Sequence, residues 1–266
     1  MALLQISCFS DSLMMDTSVQ ILFPQNCQRT PQDRKASMRG PYKVLYLLHG
    51  LKQDHTSWVR NSSLERYVSS LPLVVVMPSV HRSFYTNQTR GYPYFNYVAD
   101  ELPSLMKDMF NISSKREDTF VAGLSMGGYG AFKLALSRPH QYSHAGSLSG
   151  ALDLVELGKH YEEEQNRPFP WEMTNTFGDV GTLEGSEHDL FALAGKLTTV
   201  KPKLFQSCGS EDFLLEGNHT FRDTFSASFD LTYHEESGAH TWDYWDRNIQ
   251  KLLAWLPIVG SCPPQS

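Results

Sequence analysis

The stretch Gly123-Leu124-Ser125-Met126-Gly127-Gly128 follows a short apolar run, 119–123, and precedes a run of small residues, 127–136. A G-x-S-x-G spacing between a strand and a helix predicts a nucleophile elbow. The turn is so tight that the serine takes strained backbone angles, and glycines on both sides avoid collisions. It also leaves the serine hydroxyl at a helix N-terminus, where free N–H groups favour negative charge. Ser125 is therefore the candidate nucleophile.

Short, β-branched apolar runs recur along the chain and alternate with segments of helical periodicity. Such runs are typical of strands buried on both faces. The alternation predicts an α/β fold of the α/β-hydrolase type, with a mostly parallel central sheet and helices on both faces. The predicted strands are 19–24, 43–48, 73–77, 119–123, 145–152, 203–208 and 231–236; the predicted helices are 62–71, 95–110, 127–136 and 244–255.

Residues 153–200 break this alternation. The segment holds ten acidic and three basic residues, a local charge of −7. We interpret it as an acidic insertion or cap segment, with a lid over the site and a solvated surface excursion as rival hypotheses. Because no other break in composition separates two halves, we expect a single domain over 1–266. The polar stretch 25–40 is predicted to be a surface connection.

Composition excludes several functional classes. The chain has 266 residues, 41% of them hydrophobic, and a net charge of −6, with no Lys/Arg run longer than two. A nucleic-acid partner is therefore not expected. No apolar stretch approaches the roughly 20 residues of a membrane span, and no signal segment is visible, so we expect a cytoplasmic protein. The four cysteines lie far apart, which favours free thiols over a metal cluster.

A serine hydroxyl needs a base, and in this fold the partners follow in the chain order Ser, Asp/Glu, His. His240 lies in a loop after the strand that ends near residue 236 and before the last helix. That position is the carboxyl end of a strand, where the base must lie. The other late histidines fall in the insertion, a predicted helix and a strand: His188, His219 and His234.

The acid is expected after the preceding strand, 203–208. Both Glu211 and Asp212 follow it. Glu211 is equally well explained as a solvated surface carboxylate, so Asp212 is the chosen candidate. Its carboxylate would hold the imidazole in the correct tautomer and stabilise the imidazolium.

An oxyanion hole needs backbone N–H donors. One candidate is the amide of Met126, the residue after the nucleophile. The second is the amide of Leu51, because His49-Gly50-Leu51 ends a buried strand and glycine permits close backbone approach. His49 is expected to order this loop and not to act as a second base.

Aromatic residues cluster near these loops and offer candidates for a substrate pocket. Trp242 is the first choice, being two residues after His240, with Trp58 and Tyr92 beside it. Ordinary packing is the rival explanation for each ring, as it is for the remaining members of the cluster: Phe84, Tyr85, Tyr94 and Phe95.

Together these motifs resemble the esterase D-type α/β-hydrolases, and most closely the bacterial tributyrin (short-chain acyl) esterases, from about residue 19 to 257. The resemblance implies a cofactor-independent serine carboxylesterase with Ser125, Asp212 and His240 as its triad and the Leu51 and Met126 amides as its oxyanion hole. The motifs that carry it are His49-Gly-Leu51, Gly123-Leu-Ser-Met-Gly-Gly128, Ser149-Gly-Ala151, Cys208-Gly-Ser-Glu-Asp-Phe213 and His240-Thr-Trp242.

Three other functions stay open from the sequence. Acyl transfer to an alcohol uses the same elbow, and S-formylglutathione hydrolysis is found among relatives of this fold. A catalytically silent binding protein is the third, although all three triad types are present in order. In each enzymatic case the expected partner is a small-molecule ester or thioester, with neither metal nor organic cofactor. Pairing of exposed N-terminal strands would allow a homo-oligomer.

Overall fold

A mixed eight-stranded sheet forms the centre of the protein. The computed structural model describes residues 1–25, 40–163 and 169–258, so most of the predicted connection 25–40 lies outside the described residues. The spatial order is β1-β2-β4-β3-β5-β6-β7-β8, antiparallel at β1 and β2 and parallel from β4 to β8. The strands are β1 (Ala2–Ser10), β2 (Met15–Phe23), β3 (Lys43–Leu48), β4 (Leu73–Pro78), β5 (Thr119–Leu124), β6 (His144–Leu148), β7 (Lys203–Gly209) and β8 (Leu231–Glu236).

Helices cover both faces of this sheet. Successive residues of β3 alternate between two buried apolar clusters, Val44 and Tyr46 on one face and Leu45 and Leu47 on the other. The helices α1, α2 and α10 belong to the second cluster and the remainder to the first. They are α1 (Ser57–Asn61), α2 (Leu64–Val68), α3 (Tyr94–Asn96), α4 (Leu102–Met109), α5 (Met126–Ser137), α6 (Leu154–Glu163), α7 (Phe169–Phe177), α8 (Leu190–Lys196), α9 (Leu215–Phe225) and α10 (Trp242–Trp255).

The predicted α/β-hydrolase fold is confirmed. Every predicted strand is present, although its ends move by up to a few residues. Since β3, β5, β7 and β8 run parallel, their carboxyl ends meet at one edge, and the loops that carry the candidate site all leave from that edge. Within the described ranges, no helix has the length and apolar character needed to cross a membrane.

Several elements differ from the expectation: α1 and α6 to α8 were not predicted, and the predicted helix 62–71 appears only as the five-residue α2. Two further differences have a physical reason. β1 was not predicted; it is an edge strand whose residues alternate between exposed and half-buried positions, a weaker signal than a fully buried run. The single predicted helix 95–110 is interrupted by a π-helical turn, Tyr97–Glu101, before α4 begins. Pro103 lies at the start of α4 and lacks the N–H that an uninterrupted α-helix would need there.

The segment 153–200, which the sequence predicts to be an acidic insertion and which is called the insertion below, lies between β6 and β7 and contains α6, α7 and α8. Its α7 docks on the loop 81–94, where Arg82 forms a two-pronged ion pair with Glu172. Backbone hydrogen bonds add to this contact, from Thr89 N to Thr176 O at 3.0 Å and from Arg90 N to Asn175 O at 2.8 Å. Insertion and loop therefore form one continuous packed surface.

Candidate active site

Ser125 occupies a strained turn between β5 and α5. Its backbone angles are φ 54° and ψ −120°, a combination that L residues rarely adopt. A Cβ on Gly123 would lie 2.4 Å from the Gly127 carbonyl oxygen, and one on Gly127 would lie 2.5 Å from the Leu48 oxygen. Only glycine fits at either position, so the turn depends on the absence of a side chain at both.

His240 reaches this serine from the loop between β8 and α10. Its Nε2 lies 2.9 Å from Ser125 Oγ, although the two residues are 115 positions apart in the chain. The hydroxyl is the donor in this contact, because the other ring nitrogen carries the hydrogen that faces an acceptor-only carboxylate. A base within this distance is positioned to take the hydroxyl proton.

Asp212 supplies that carboxylate from the loop between β7 and α9. His240 Nδ1 lies 3.0 Å from Oδ1 and 2.9 Å from Oδ2, and the Asp212 side chain has no solvent exposure. The Leu214 amide also donates to Oδ1 at 2.9 Å. These contacts fix the carboxylate, and through it the imidazole, in one orientation. The structure therefore brings together the three side chains chosen from the sequence.

The predicted oxyanion loop lies directly against the elbow. A Cβ on Gly50 would be 2.8 Å from the Leu124 side chain, and one on Gly127 would be 2.7 Å from the His49 oxygen. In the described part of the chain, the amides of Leu51 and Met126 donate no hydrogen bond to a protein group. The elbow and the loop that packs against it thus each contain one backbone N–H, of Met126 and of Leu51, without a protein acceptor among the described residues.

His49 holds this loop as a neutral imidazole. Its Nδ1–H donates to the Gly50 oxygen at 2.8 Å, and its Nε2 accepts from the Val80 amide at 3.2 Å. Burial lowers the pKa of His49 to about 4, so the ring stays neutral at physiological pH. The buried Tyr85 hydroxyl donates to the His49 oxygen at 2.9 Å and adds a second tie.

Comparison with known proteins also indicates an esterase. The family of putative esterases matches residues 10–256. The acetyl esterase of Caldicellulosiruptor saccharolyticus is 31% identical over 98% of this chain and its own full length. Two Staphylococcus aureus structures, each 31% identical over 96% of this chain and 98% of theirs, superpose closely: the fluorophosphonate-binding serine hydrolase FphF at a TM-score of 0.84 and the S-formylglutathione hydrolase FrmB at 0.81.

This chain belongs to the esterase family. It is a carboxylesterase with an α/β-hydrolase fold, which removes the binding-only hypothesis.

Two aromatic side chains of the esterase that sequence reasoning did not assign to the site pack against the His240 ring. Phe213 lies with its ring centroid 4.7 Å from that of His240, and Trp245 meets the same ring edge-on at 4.9 Å. Phe213 is 67% exposed, whereas Trp245 is buried. Their places in the sequence are suggestive, since Phe213 directly follows the chosen acid and Trp245 lies one helical turn after the loop, but neither place indicates the contact with His240.

The candidate pocket residues occupy three different environments. Trp58 is buried, and its indole N–H donates to the Leu48 oxygen at 3.0 Å, so it braces the strand end from within the core. Trp242 is half-buried and packs edge-on against Trp58 and Trp245. Tyr92 is 50% exposed on the loop 81–94. Tyr92 and Trp242 are exposed enough to contact a ligand, whereas the buried Trp58 can only support Trp242, against which it packs.

Of the other late histidines, His188 is part of a buried cluster that joins the insertion to α5. Lys133 Nζ lies 2.9 Å from His188 Nδ1 and 2.5 Å from Thr86 Oγ1, and the Tyr129 hydroxyl donates to the His188 oxygen at 2.9 Å. Burial lowers the pKa of Lys133 to about 7 and that of His188 to about 3. His219 instead pairs with Glu235 on the surface, at 2.6 Å.

Neither of two cavities of the esterase is lined by Ser125, Asp212 or His240. One, of about 460 Å³, lies between the loop 81–94 and the end of α7. The other, of about 530 Å³, is bordered by the end of α1, the link 62–63 between α1 and α2, and the first turns of α10, including Trp242. Among the described residues, no cluster of three histidine, cysteine or acidic side chains is arranged to hold a metal ion.

Proposed function

We propose that this esterase cleaves short-chain acyl esters through an acyl-enzyme intermediate, with Ser125 as nucleophile, His240 as base and Asp212 as the orienting acid. The observation that carries the proposal is the continuous hydrogen-bonded path from Ser125 Oγ through the imidazole to the Asp212 carboxylate. The resemblance to tributyrin esterases and the similarity to an acetyl esterase support the short acyl group.

Acylation begins when Ser125 Oγ attacks the ester carbonyl carbon and His240 Nε2 takes the hydroxyl proton. The carbonyl oxygen becomes an oxyanion, which the amides of Leu51 and Met126 are proposed to bind. Asp212 stabilises the imidazolium. His240 then gives its proton to the leaving alcohol, the C–O bond breaks, and the acyl group stays on Ser125.

Deacylation repeats these steps with water. His240 takes a proton from the water, which attacks the acyl carbon, and the second oxyanion occupies the same hole. Collapse releases the carboxylic acid and returns the proton to Ser125. Each proton transfer uses the one imidazole, so the reaction requires neither a metal nor an organic cofactor.

The Ser125→Ala variant tests the nucleophile. We expect an intact fold and a loss of p-nitrophenyl acetate turnover of about 10⁶-fold, close to the residual rate that binding and the oxyanion hole provide. A fluorophosphonate probe should label the wild type and not the variant. Undiminished turnover in the variant would remove the proposed nucleophile.

S-formylglutathione hydrolysis is the second candidate, favoured by the similarity to the staphylococcal FrmB enzyme. The two candidates differ in kcat/KM for the thioester relative to simple esters. An ester series from acetyl to decanoyl, with glyceride and acetyl-sugar substrates beside it, fixes the acyl and alcohol preference. Adding an acceptor alcohol and analysing the products separates hydrolysis from acyl transfer. The homo-oligomer and the cytoplasmic location stay predictions from the sequence.

A further inference from the structure

Glu211, the rival to Asp212 in the sequence, lies on the loop that carries the acid but turns away from the imidazole. Its carboxylate accepts hydrogen bonds from the Gly238 amide and, at 3.2 Å, from the Ser237 hydroxyl. Both partners belong to the loop that ends in His240. The side chain therefore joins the loop of the acid to the loop of the base.

The backbone closes the same contact from the other direction. The Glu211 amide donates to the Gly238 oxygen at 3.2 Å, so residues 211 and 238 are bonded in both directions. The two loops are also in direct contact, because a Cβ on Gly209 would lie only 1.9 Å from the Gly238 oxygen. The loop 237–240, here called the base loop, is also bonded to α10, because Arg247 Nη2 donates to the Ser237 oxygen at 3.1 Å.

Only Ala239 separates Gly238 from His240. The Thr241 amide donates to the Ala239 oxygen at 2.8 Å, so residues 239–241 form a tight turn that restricts the position of His240. A displacement of Gly238 is therefore passed on to the imidazole. Misplacement of a reacting group by about 1 Å can reduce a rate by about 100-fold.

We propose that Glu211 is a positioning residue that clamps the 237–239 loop to the acid loop, and so holds the His240 imidazole between Asp212 and Ser125. The inference rests on the proposed function, since it assigns a task to a residue that does not contact the reacting atoms. The Gly238 amide lowers the pKa of the Glu211 carboxyl, which keeps the acceptor ionised near neutral pH.

The test compares Glu211→Ala with Glu211→Gln, using p-nitrophenyl acetate well below the unfolding temperature. The alanine variant should lose about 10-fold in kcat with KM nearly unchanged, because a displaced base affects proton transfer more than substrate binding. Its rate of labelling by a fluorophosphonate should fall in parallel, since that reaction also needs His240. The glutamine variant should recover most of the rate, because its Oε1 can still accept from Gly238.

Glu216→Ala is the matched control. It removes an exposed carboxylate five residues away, in the first turn of α9, that forms no hydrogen bond or ion pair with the base loop among the described residues, and its kcat should equal that of the wild type. An unchanged kcat in Glu211→Ala would overturn the clamp, as would a glutamine variant as slow as the alanine one. Ser125→Ala, assayed in parallel, separates the outcomes: if it stays active, the proposed function fails, whereas an inactive serine variant beside an unaffected Glu211→Ala refutes only the clamp.

Discussion

The Ser125 turn and the acidic insertion contact the same helix, α5, but they are held by different kinds of contact. At the turn, main-chain atoms of neighbouring elements approach so closely that Gly123 and Gly127 cannot carry side chains. The insertion is attached to α5 through the Lys133 side chain, which contacts His188, and to the loop 81–94 through the Arg82–Glu172 ion pair together with two backbone hydrogen bonds. The glycines of the turn can be recognised in a short run of consecutive residues, whereas the side-chain contacts of the insertion join residues that are distant in the chain.

The catalytic site that includes this turn and the insertion should also differ in the effect of replacing a buried aspartate, which should lower the rate in the first and the stability in the second. Asp212 and Asp189 are similarly buried, with 5% and 7% of the whole residue exposed, and both side chains accept backbone hydrogen bonds. Asp212→Asn should reduce kcat by about 10³- to 10⁴-fold, because the amide favours the wrong imidazole tautomer. Its free energy of unfolding should change by much less than the activation free energy that corresponds to this loss of kcat. Steady-state kinetics measures kcat, and urea denaturation measures the free energy of unfolding.

Asp189→Ala is the counterpart in the insertion. Asp189 caps α8 by accepting from the Phe191 and Ala192 amides, and its other oxygen accepts from Gly185. Loss of this cap should lower the free energy of unfolding by about 1 kcal/mol and leave kcat within about twofold. A large fall in kcat for this variant would mean that the insertion acts on catalysis directly, and the contrast between the regions would fail.

Lys133 provides the next largest effect, which depends on pH. Burial lowers the pKa of this amine from 10.5 to about 7, so between these values the unfolded chain holds a proton that the folded chain has lost. The free energy of unfolding should therefore rise with pH across this window, by an amount on the order of a few kcal/mol. Below pH 7 both states are protonated and this contribution stays at its minimum.

Lys133→Met tests this dependence, because methionine fills a similar volume without a charge. His188 and Thr86 keep a partner in the variant, since Thr86 Oγ1 lies 3.0 Å from His188 Nδ1. Urea unfolding at pH 6, 7.5 and 9 should show the variant gaining most over the wild type at pH 6. Parallel stability–pH curves for the two proteins would show that the buried amine keeps its ordinary pKa.

The difference between contacts that are local in the sequence and contacts between distant residues also explains what could be predicted from the sequence. Ser125, Asp212 and His240 each directly follow or closely succeed a parallel strand, and chain order with local spacing was enough to choose them. Phe213 and Glu211 lie beside the chosen acid, yet their contacts with His240 and Gly238 cross from one loop to another. No local pattern records such a contact, and the same holds for the docking of the insertion.

The smallest predicted effect concerns the Arg82–Glu172 pair, whose side chains are 39% and 19% exposed. A double-mutant cycle with Arg82→Ala and Glu172→Ala should give a coupling energy of about 1 kcal/mol in urea unfolding, because partial exposure screens a pair whose two-pronged geometry is favourable. Turnover of an acetyl ester should change by less than about twofold in all three variants. A coupling near zero would mean that backbone contacts, such as Thr89 to Thr176, hold α7 by themselves. In that case the insertion would be attached to the loop 81–94 in the same manner as the elbow is attached to β3.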